Sequence, residues 1–129
     1  MTEGAEDAET QLQRAEARFI RALNYYYLMD MYANVPLVTR VVNENPKQAQ
    51  RADIFAFLEQ ELLEMQNDMS EAGAGMYYRV DRAAAWLLLS RLYLNAEVYT
   101  GTARWADAAT YAEKVITSSY ALADNYAAL

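Results

Sequence analysis

The stretch DRAAAWLLLSRLYL, residues 81–94, decides the fold. It is apolar on nearly every side as far as Leu89, which is typical of a helix that lies at the centre of a helical protein. Asp81 is predicted to cap the helix, because a carboxylate at this position accepts hydrogen bonds from the first free amides. We predict that the helix spans residues 82–98 and that Gly101 ends it, with Thr102 capping the next helix.

The spacing within this stretch indicates how the helix packs. Trp86, Leu89, Ser90 and Tyr93 follow the first-helix pattern of a tetratricopeptide repeat, with Ser in place of Gly. The second-helix pattern follows at Trp105, Ala108, Ala112 and Val115. A small residue where two helices cross lets their backbones approach, while larger residues fill the adjoining groove. Both tryptophans are therefore predicted to lie in the repeat core.

The rest of the chain supports a helical reading. Further helices are predicted at about residues 6–31, 53–69 and 103–117, with a connector at 34–50 and a tail at 118–129. The second of these has apolar residues at helical spacing and Asp53 as its cap or first-turn acid. Short breaks between strong helices favour antiparallel neighbours. We expect one all-α domain, residues 1–129, of two antiparallel helix pairs in a tetratricopeptide-like bundle.

The composition excludes several classes of chemistry. The chain has no Cys and no His, so it has no thiolate nucleophile, no histidine base and neither of two common metal ligands. We therefore expect that the protein is not an enzyme and has no catalytic residue, no cofactor and no metal site. The net charge of −7 disfavours nucleic acid. No apolar run approaches the roughly 18 residues that a membrane span needs.

The first residues of the chain, Met1 to Gln13, are acidic and polar. A secretory signal needs a basic start and an apolar centre, and a lipoprotein anchor needs Cys. For the sequence as given, we expect a soluble protein with no signal peptide, no lipid anchor and no membrane span.

Two stretches resemble a narrower family. Residues 15–28 (AEARFIRALNYYYL) and 31–38 (MYANVPLV) resemble a hallmark of the SusD/RagB family of outer-membrane nutrient-binding lipoproteins. Residues 51–55, 79–94 and 105–108 and the later 119–122 continue the resemblance in order. The family tends to have Gly where Ala33 and Tyr78 stand. A positive φ costs Ala about 1 kcal/mol relative to Gly, so a negative φ at Ala33 would show that the Gly geometry has been abandoned.

The resemblance implies a non-catalytic scaffold. In that family, tetratricopeptide-like helices pack on a TonB-dependent outer-membrane transporter and support glycan uptake at the cell surface. The aromatic residues that bind sugar lie mainly outside the stretch matched here, so no glycan-site residue is carried over. The alternative is an autonomous or engineered helical bundle that has no ligand and is folded for its own sake or as a homo-oligomer.

Tyrosines are the candidates for an exposed binding surface. Tyr77 and Tyr78 on one predicted loop and Tyr99 on another are the candidate glycan-stacking residues, because loops often carry function. The consecutive Tyr25, Tyr26 and Tyr27 span most of a helix circumference, so at least one must be exposed. An interhelical contact through the phenol edge is the alternative to a sugar or partner surface for these three.

Two further expectations concern packing. Glu61 lies alone on the apolar stripe of its helix, and an unpaired buried carboxylate is costly, so we predict pairing with an arginine such as Arg21 or Arg91. The connector is predicted to lay its apolar side against the helices. Residues without an obvious partner within four helices are expected to favour self-association; they are Val38, Val41, Val42, Tyr120, Leu122, Tyr126 and Leu129.

Overall fold

The computed structural model describes residues 7–41, 43–75 and 77–125. Five α-helices fill most of these ranges: α1 (Ala8–Tyr32), α2 (Arg51–Met65), α3 (Arg82–Leu94), α4 (Ala96–Thr100) and α5 (Trp105–Ile116). Within the described ranges there is no strand, and one isolated antiparallel bridge joins Pro36 to Gln48. The all-α prediction is confirmed.

The long helices form two antiparallel pairs. In the first pair, an ion pair joins Arg18 near the start of α1 to Glu61 in α2, and Asn34 after the end of α1 accepts a hydrogen bond from the amide of Arg51. In the second pair, Ser90 of α3 donates to the carbonyl of Ala108 in α5 at 2.9 Å. The small residues at this crossing allow the close approach that the sequence pattern predicted.

The first helices of the two pairs, α1 and α3, run in the same direction. Three contacts between residues 16–30 and residues 79–99 follow the same order along the chain and place the two segments side by side. They join Glu16 to Arg79, Tyr26 to Arg91, and Asp30 to Tyr99. This is the stacking of successive tetratricopeptide-like units. It leaves the outward sides of α1 and α3 on one common surface.

The core lies between α1, α2 and α3. The largest fully buried side chains come from these helices; they are Met29, Ile54, Leu58, Leu62, Met65, Leu89 and Leu92. Burying such a side chain contributes about 1.5–3 kcal/mol. The central position predicted for α3 is confirmed by its contacts with the other helices.

Several helix ends differ from the prediction. At Asn95 (φ −100°, ψ 10°) the helix predicted to reach residue 98 is interrupted, and the short α4 follows. The predicted cap at Thr102 is wrong, because the Thr102 amide donates to the hydroxyl of Thr100 and α5 begins only at Trp105. The helix α2 ends at Met65 rather than near residue 69; the carbonyl of Gln66 accepts from the Arg82 guanidinium instead.

The junction between α1 and the connector has an unusual backbone. Ala33 has φ 62° and ψ −75°, and the amide of Asn34 donates to the carbonyl of Tyr32 at 2.8 Å. These dihedral angles and the i→i+2 hydrogen bond define a classic γ-turn, a strained conformation for a residue with a Cβ atom. Ala33 therefore keeps the positive φ that a glycine would adopt at this position.

The connector packs on the helices only in part. Val35 lies against the core, and the Tyr25 hydroxyl accepts from the Val38 amide at 2.8 Å and donates to its carbonyl at 3.1 Å. Val41 is almost fully exposed, so the prediction is wrong at that residue because the loop turns outward there. Val42 lies outside the described residues.

Candidate functional site

The loop between α2 and α3 is held by the buried carboxylate of Asp81. One oxygen accepts from the amides of Ala83 and Ala84, which confirms the predicted N-cap. The other oxygen accepts from the amide of Gly73 at 2.8 Å and from the Tyr120 hydroxyl at 2.7 Å. The hydrogen bond from its hydroxyl to Asp81 raises the pKa of Tyr120. Asp81 thus joins the helix, the loop and the tail.

The tail crosses the loop at a glycine. The Ser119 hydroxyl donates to the carbonyl of Ala72 at 2.7 Å. Gly73 has φ 78°, and a Cβ atom there would overlap the Ser119 hydroxyl. Glycine is needed at this position both for the left-handed backbone and for the close approach of the tail. Sequence reasoning missed this contact, because 46 positions separate the two residues.

The candidate glycan-stacking tyrosines differ in placement. Tyr77 and Tyr78 are exposed at the outer end of the held loop. Tyr99 is buried, and its hydroxyl donates to Asp30 at 2.6 Å; burial and this hydrogen bond raise the pKa of Tyr99. The expectation that Tyr99 is exposed was wrong, because α4 turns this ring inward against Phe55.

The three consecutive tyrosines of α1 divide as their spacing requires. Tyr26 is buried, Tyr25 packs against Phe57 and bonds to the connector, and Tyr27 is exposed. The phenol-edge contact is confirmed at Tyr25.

Glu61 lies in an ion-pair cluster between α1 and α2. Its carboxylate accepts from Arg18 at 2.7 Å and from Arg21 at 2.5 Å, and Arg18 also reaches Glu64. Burial opposes ionisation of Glu61, but the two arginines outweigh it and the pKa of Glu61 is lowered. The predicted partner Arg21 is confirmed and Arg18 was missed. The suggested Arg91 instead lies over the ring of Tyr26.

The two tryptophans have different surroundings. Trp86 is half-buried and donates to the Gln66 side chain at 2.9 Å, as a structural residue should. Trp105 is 61 % exposed, so its predicted core position is wrong. It lies in the first turn of α5, the outermost helix of the stack in the described ranges, where it lines a groove with Leu94 and Ser90.

Exposed apolar side chains lie on α1, α3 and α5, and we call the surface that carries them the apolar face. Its members are exposed by 44 to 63 %: Ile20, Tyr27, Met31, Leu87, Leu94 and Trp105. A groove of about 130 Å³ between α1 and α3 is lined by Leu23, Leu87 and Arg91, among others. A second groove of about 290 Å³ runs between α3 and α5 along Leu94 and Trp105. The first groove thus lies between α1 and α3, and the second lies between α3 and α5.

The described residues hold no cluster of three or more acidic side chains placed to bind a metal ion. Among the same residues, no helix combines the length and apolar character that crossing a bilayer requires.

Comparisons with known proteins agree on one family. The sequence pattern of the SusD-like family, described as starch-binding and associating with the outer membrane, matches residues 1–94. The starch-binding protein SusD of Bacteroides thetaiotaomicron is 45 % identical over 128 residues, which cover 99 % of this chain and 23 % of that protein.

Solved structures agree with the sequence match. A SusD superfamily protein from Parabacteroides distasonis superposes with a TM-score of 0.82 at 27 % identity, covering 97 % of this chain and 28 % of that one. A SusD-like carbohydrate-binding protein from Bacteroides fragilis gives 0.75 at 26 % identity, covering 89 % and 23 %. This chain thus spans about a quarter of the length of these relatives. It belongs to the SusD-like family, a family of binding proteins rather than enzymes.

Proposed function

We propose that this stretch is the helical scaffold of a glycan-uptake protein at the bacterial outer membrane. In this proposal its work is to dock on a TonB-dependent transporter through the apolar face and to hold the glycan-binding parts of the protein in place. Membership of a family that is starch-binding and associates with the outer membrane supports the setting. The apolar face is the observation that supports docking.

The apolar face is unusual for a protein surface. Isolated exposed apolar residues are common, but a row that crosses three helices and is joined by grooves marks a site of interaction. Two aromatic residues and a methionine belong to it, Tyr27, Trp105 and Met31. These residue types are enriched in protein interfaces, and Tyr and Trp bury a large apolar area at low entropic cost.

The proposal assigns no sugar site to the core of this stretch. Tyr77 and Tyr78 remain the candidates for stacking on a sugar ring, since both are exposed on a loop with a fixed base. They line neither groove of the apolar face. We infer that docking and any contact with sugar use different surfaces.

Binding to a purified TonB-dependent transporter in detergent tests the proposal. Biolayer interferometry with immobilised transporter should give saturable binding of the chain. Leu94→Glu, in the middle of the apolar face, should weaken binding at least tenfold, because it places a charge in a desolvated contact. Val41→Glu makes the same kind of change at an exposed valine of the connector and should have little effect. Absence of binding, or equal loss in both variants, would refute docking through this face.

Self-association is the second candidate function. Tyr120 and Leu122 of the tail and Val41 of the connector are exposed, as predicted. The prediction is wrong for Val38, which is half-buried and hydrogen-bonded to Tyr25, whereas Tyr126 and Leu129 lie outside the described residues. Light scattering at tens of micromolar separates the two candidates. A stable dimer would favour self-association, and a monomer would favour a different partner.

A further inference from the structure

We propose that the groove between α1 and α3 binds a helix from a partner protein, and that this helix carries a carboxylate at the centre of its apolar side. The inference rests on the proposed docking function and names the chemistry of the docked element. Three properties support it: the spacing of exposed apolar residues on the two helices, the apolar floor of the groove, and a positive charge that has no carboxylate partner within the described ranges.

Exposed apolar residues repeat at the same interval on the two helices that form the groove. On α1, Ile20 and Tyr27 are seven residues apart, and on α3 the same interval separates Leu87 from Leu94. Seven residues of helix correspond to about 10.5 Å. Since α1 and α3 run in the same direction, the two rows lie side by side. A third helix with apolar residues at heptad spacing presents the same interval to both rows.

The floor of the groove is apolar and close to the core. It is lined by Phe19 and Leu23 from α1 and by Ala84 and Leu88 from α3. Phe19 and Leu88 are buried, so the floor is part of the packed interior rather than a loose surface segment. The small Ala84 leaves room on the α3 side for an incoming side chain.

A positive charge lies at the centre of this apolar surface. Arg91 falls between Leu87 and Leu94 along α3, lines the same groove and is exposed. Its guanidinium carbon is 5.6 Å from the centroid of the Tyr26 ring, and the interactions with Tyr26 and Tyr27 raise the pKa of Arg91. Five other arginines of the described ranges have a carboxylate partner; they are Arg18, Arg21, Arg79, Arg82 and Arg104. Within those ranges no carboxylate lies within ion-pair distance of Arg91.

When a partner helix docks, the charge of Arg91 favours one kind of helix over another. An apolar helix that covered Arg91 would remove water from the guanidinium, and a desolvated charge without a partner is costly. A carboxylate on the incoming helix removes that cost with a charge-assisted hydrogen bond. The groove therefore selects an acidic residue within an otherwise apolar helix.

A second copy of this chain fits the groove poorly. In a two-fold contact each face meets itself, so the two Arg91 side chains would approach each other near the axis. Each chain also has a net charge of −7, which adds long-range repulsion between copies. Charge complementarity thus favours a different protein.

Synthetic peptides test the inference directly. The probe is a 21-residue helical peptide with leucines at heptad positions and Glu at the centre of the leucine face; matched peptides carry Gln or Lys there. Fluorescence anisotropy against the 129-residue chain should show at least tenfold tighter binding of the Glu peptide than of the Lys peptide. Arg91→Glu should reverse this order. Arg40→Glu makes the same charge change at an exposed connector residue and should leave the order unchanged.

Equal affinity of the Glu and Lys peptides, binding of neither, or reversal by Arg40→Glu would overturn the inference. A failure of the acidic-helix inference can be distinguished from a failure of the proposed docking function. Transporter binding that survives Arg91→Glu would refute the acidic-helix inference and leave docking intact. A dimer that is lost in Leu87→Asp would assign the groove to a second copy and would also overturn the inference.

Discussion

Replacing Gly73 with Ala should destabilise the protein more than the same change at another left-handed glycine. Gly73 has φ 78° and Gly101 has φ 81°. A Cβ atom at Gly73 would overlap the Ser119 hydroxyl, whereas a Cβ at Gly101 would have no heavy atom within 4 Å. Gly101→Ala therefore isolates the backbone cost, about 1 kcal/mol. Gly73→Ala adds the displacement of Ser119 and the loss of its hydrogen bond to Ala72, about 1 kcal/mol or more.

We expect a total loss of about 2–3 kcal/mol for Gly73→Ala, which is roughly 1–2 kcal/mol more than for Gly101→Ala. Urea denaturation followed by circular dichroism at 222 nm measures both values under the same conditions. Ser119→Gly removes the obstructing atoms, so the double variant with Gly73→Ala should show a favourable coupling energy. Equal losses in the two glycine variants, or no coupling with Ser119, would show that the tail does not press on this loop.

Three further predictions concern the turn, the ion cluster and sugar. Ala33→Gly should stabilise the chain by about 0.5–1 kcal/mol in thermal denaturation, because it relieves a positive φ; a loss would mean that the γ-turn is not strained. Glu61→Leu should leave the free energy of unfolding within about 1 kcal/mol of wild type or raise it, whereas removal of both Arg18 and Arg21 should cost about 3–5 kcal/mol. Because the pKa of Glu61 is lowered in the folded state, its contribution is present above the unfolded value of about 4.3 and is lost as the pH falls through the folded pKa. Glu61→Gln should therefore flatten stability profiles measured across the acid range, and an unchanged profile would contradict the lowered pKa. Calorimetric titration with maltoheptaose should show no binding tighter than about millimolar, roughly 4 kcal/mol; micromolar affinity that disappears in Tyr77→Ala would show a sugar site in this stretch.

The sequence was sufficient where local physics decides the structure. The cap at Asp81 follows from a carboxylate before an apolar run, and α2 follows from apolar residues at helical spacing. The pairing of Glu61 could also be predicted, because a lone carboxylate on an apolar stripe needs a cation. Its second partner, Arg18, could have been found one turn before Arg21 on the same helix.

The features that were missed depend on contacts between distant residues. Burial of Tyr99 requires the break at Asn95, and nothing in the local sequence distinguishes that break from a continuing helix. Exposure of Trp105 depends on the position of α5 in the stack, since a repeat pattern does not say which neighbour covers a residue. The apolar face appears only when α1 and α3 lie side by side in the same direction.

The most direct test of the scaffold account is hydroxyl-radical footprinting of the chain, alone and bound to the TonB-dependent transporter. The method oxidises exposed Met, Trp and Tyr side chains, and mass spectrometry reports each one. Met31 and Trp105 lie on the apolar face and Tyr77 lies away from it, and all three are exposed in the free chain. The account predicts that the transporter protects Met31 and Trp105 several-fold while Tyr77 is oxidised as before. Protection of Tyr77 with unchanged oxidation of Met31 and Trp105 would contradict the claim that the apolar face is the docking surface.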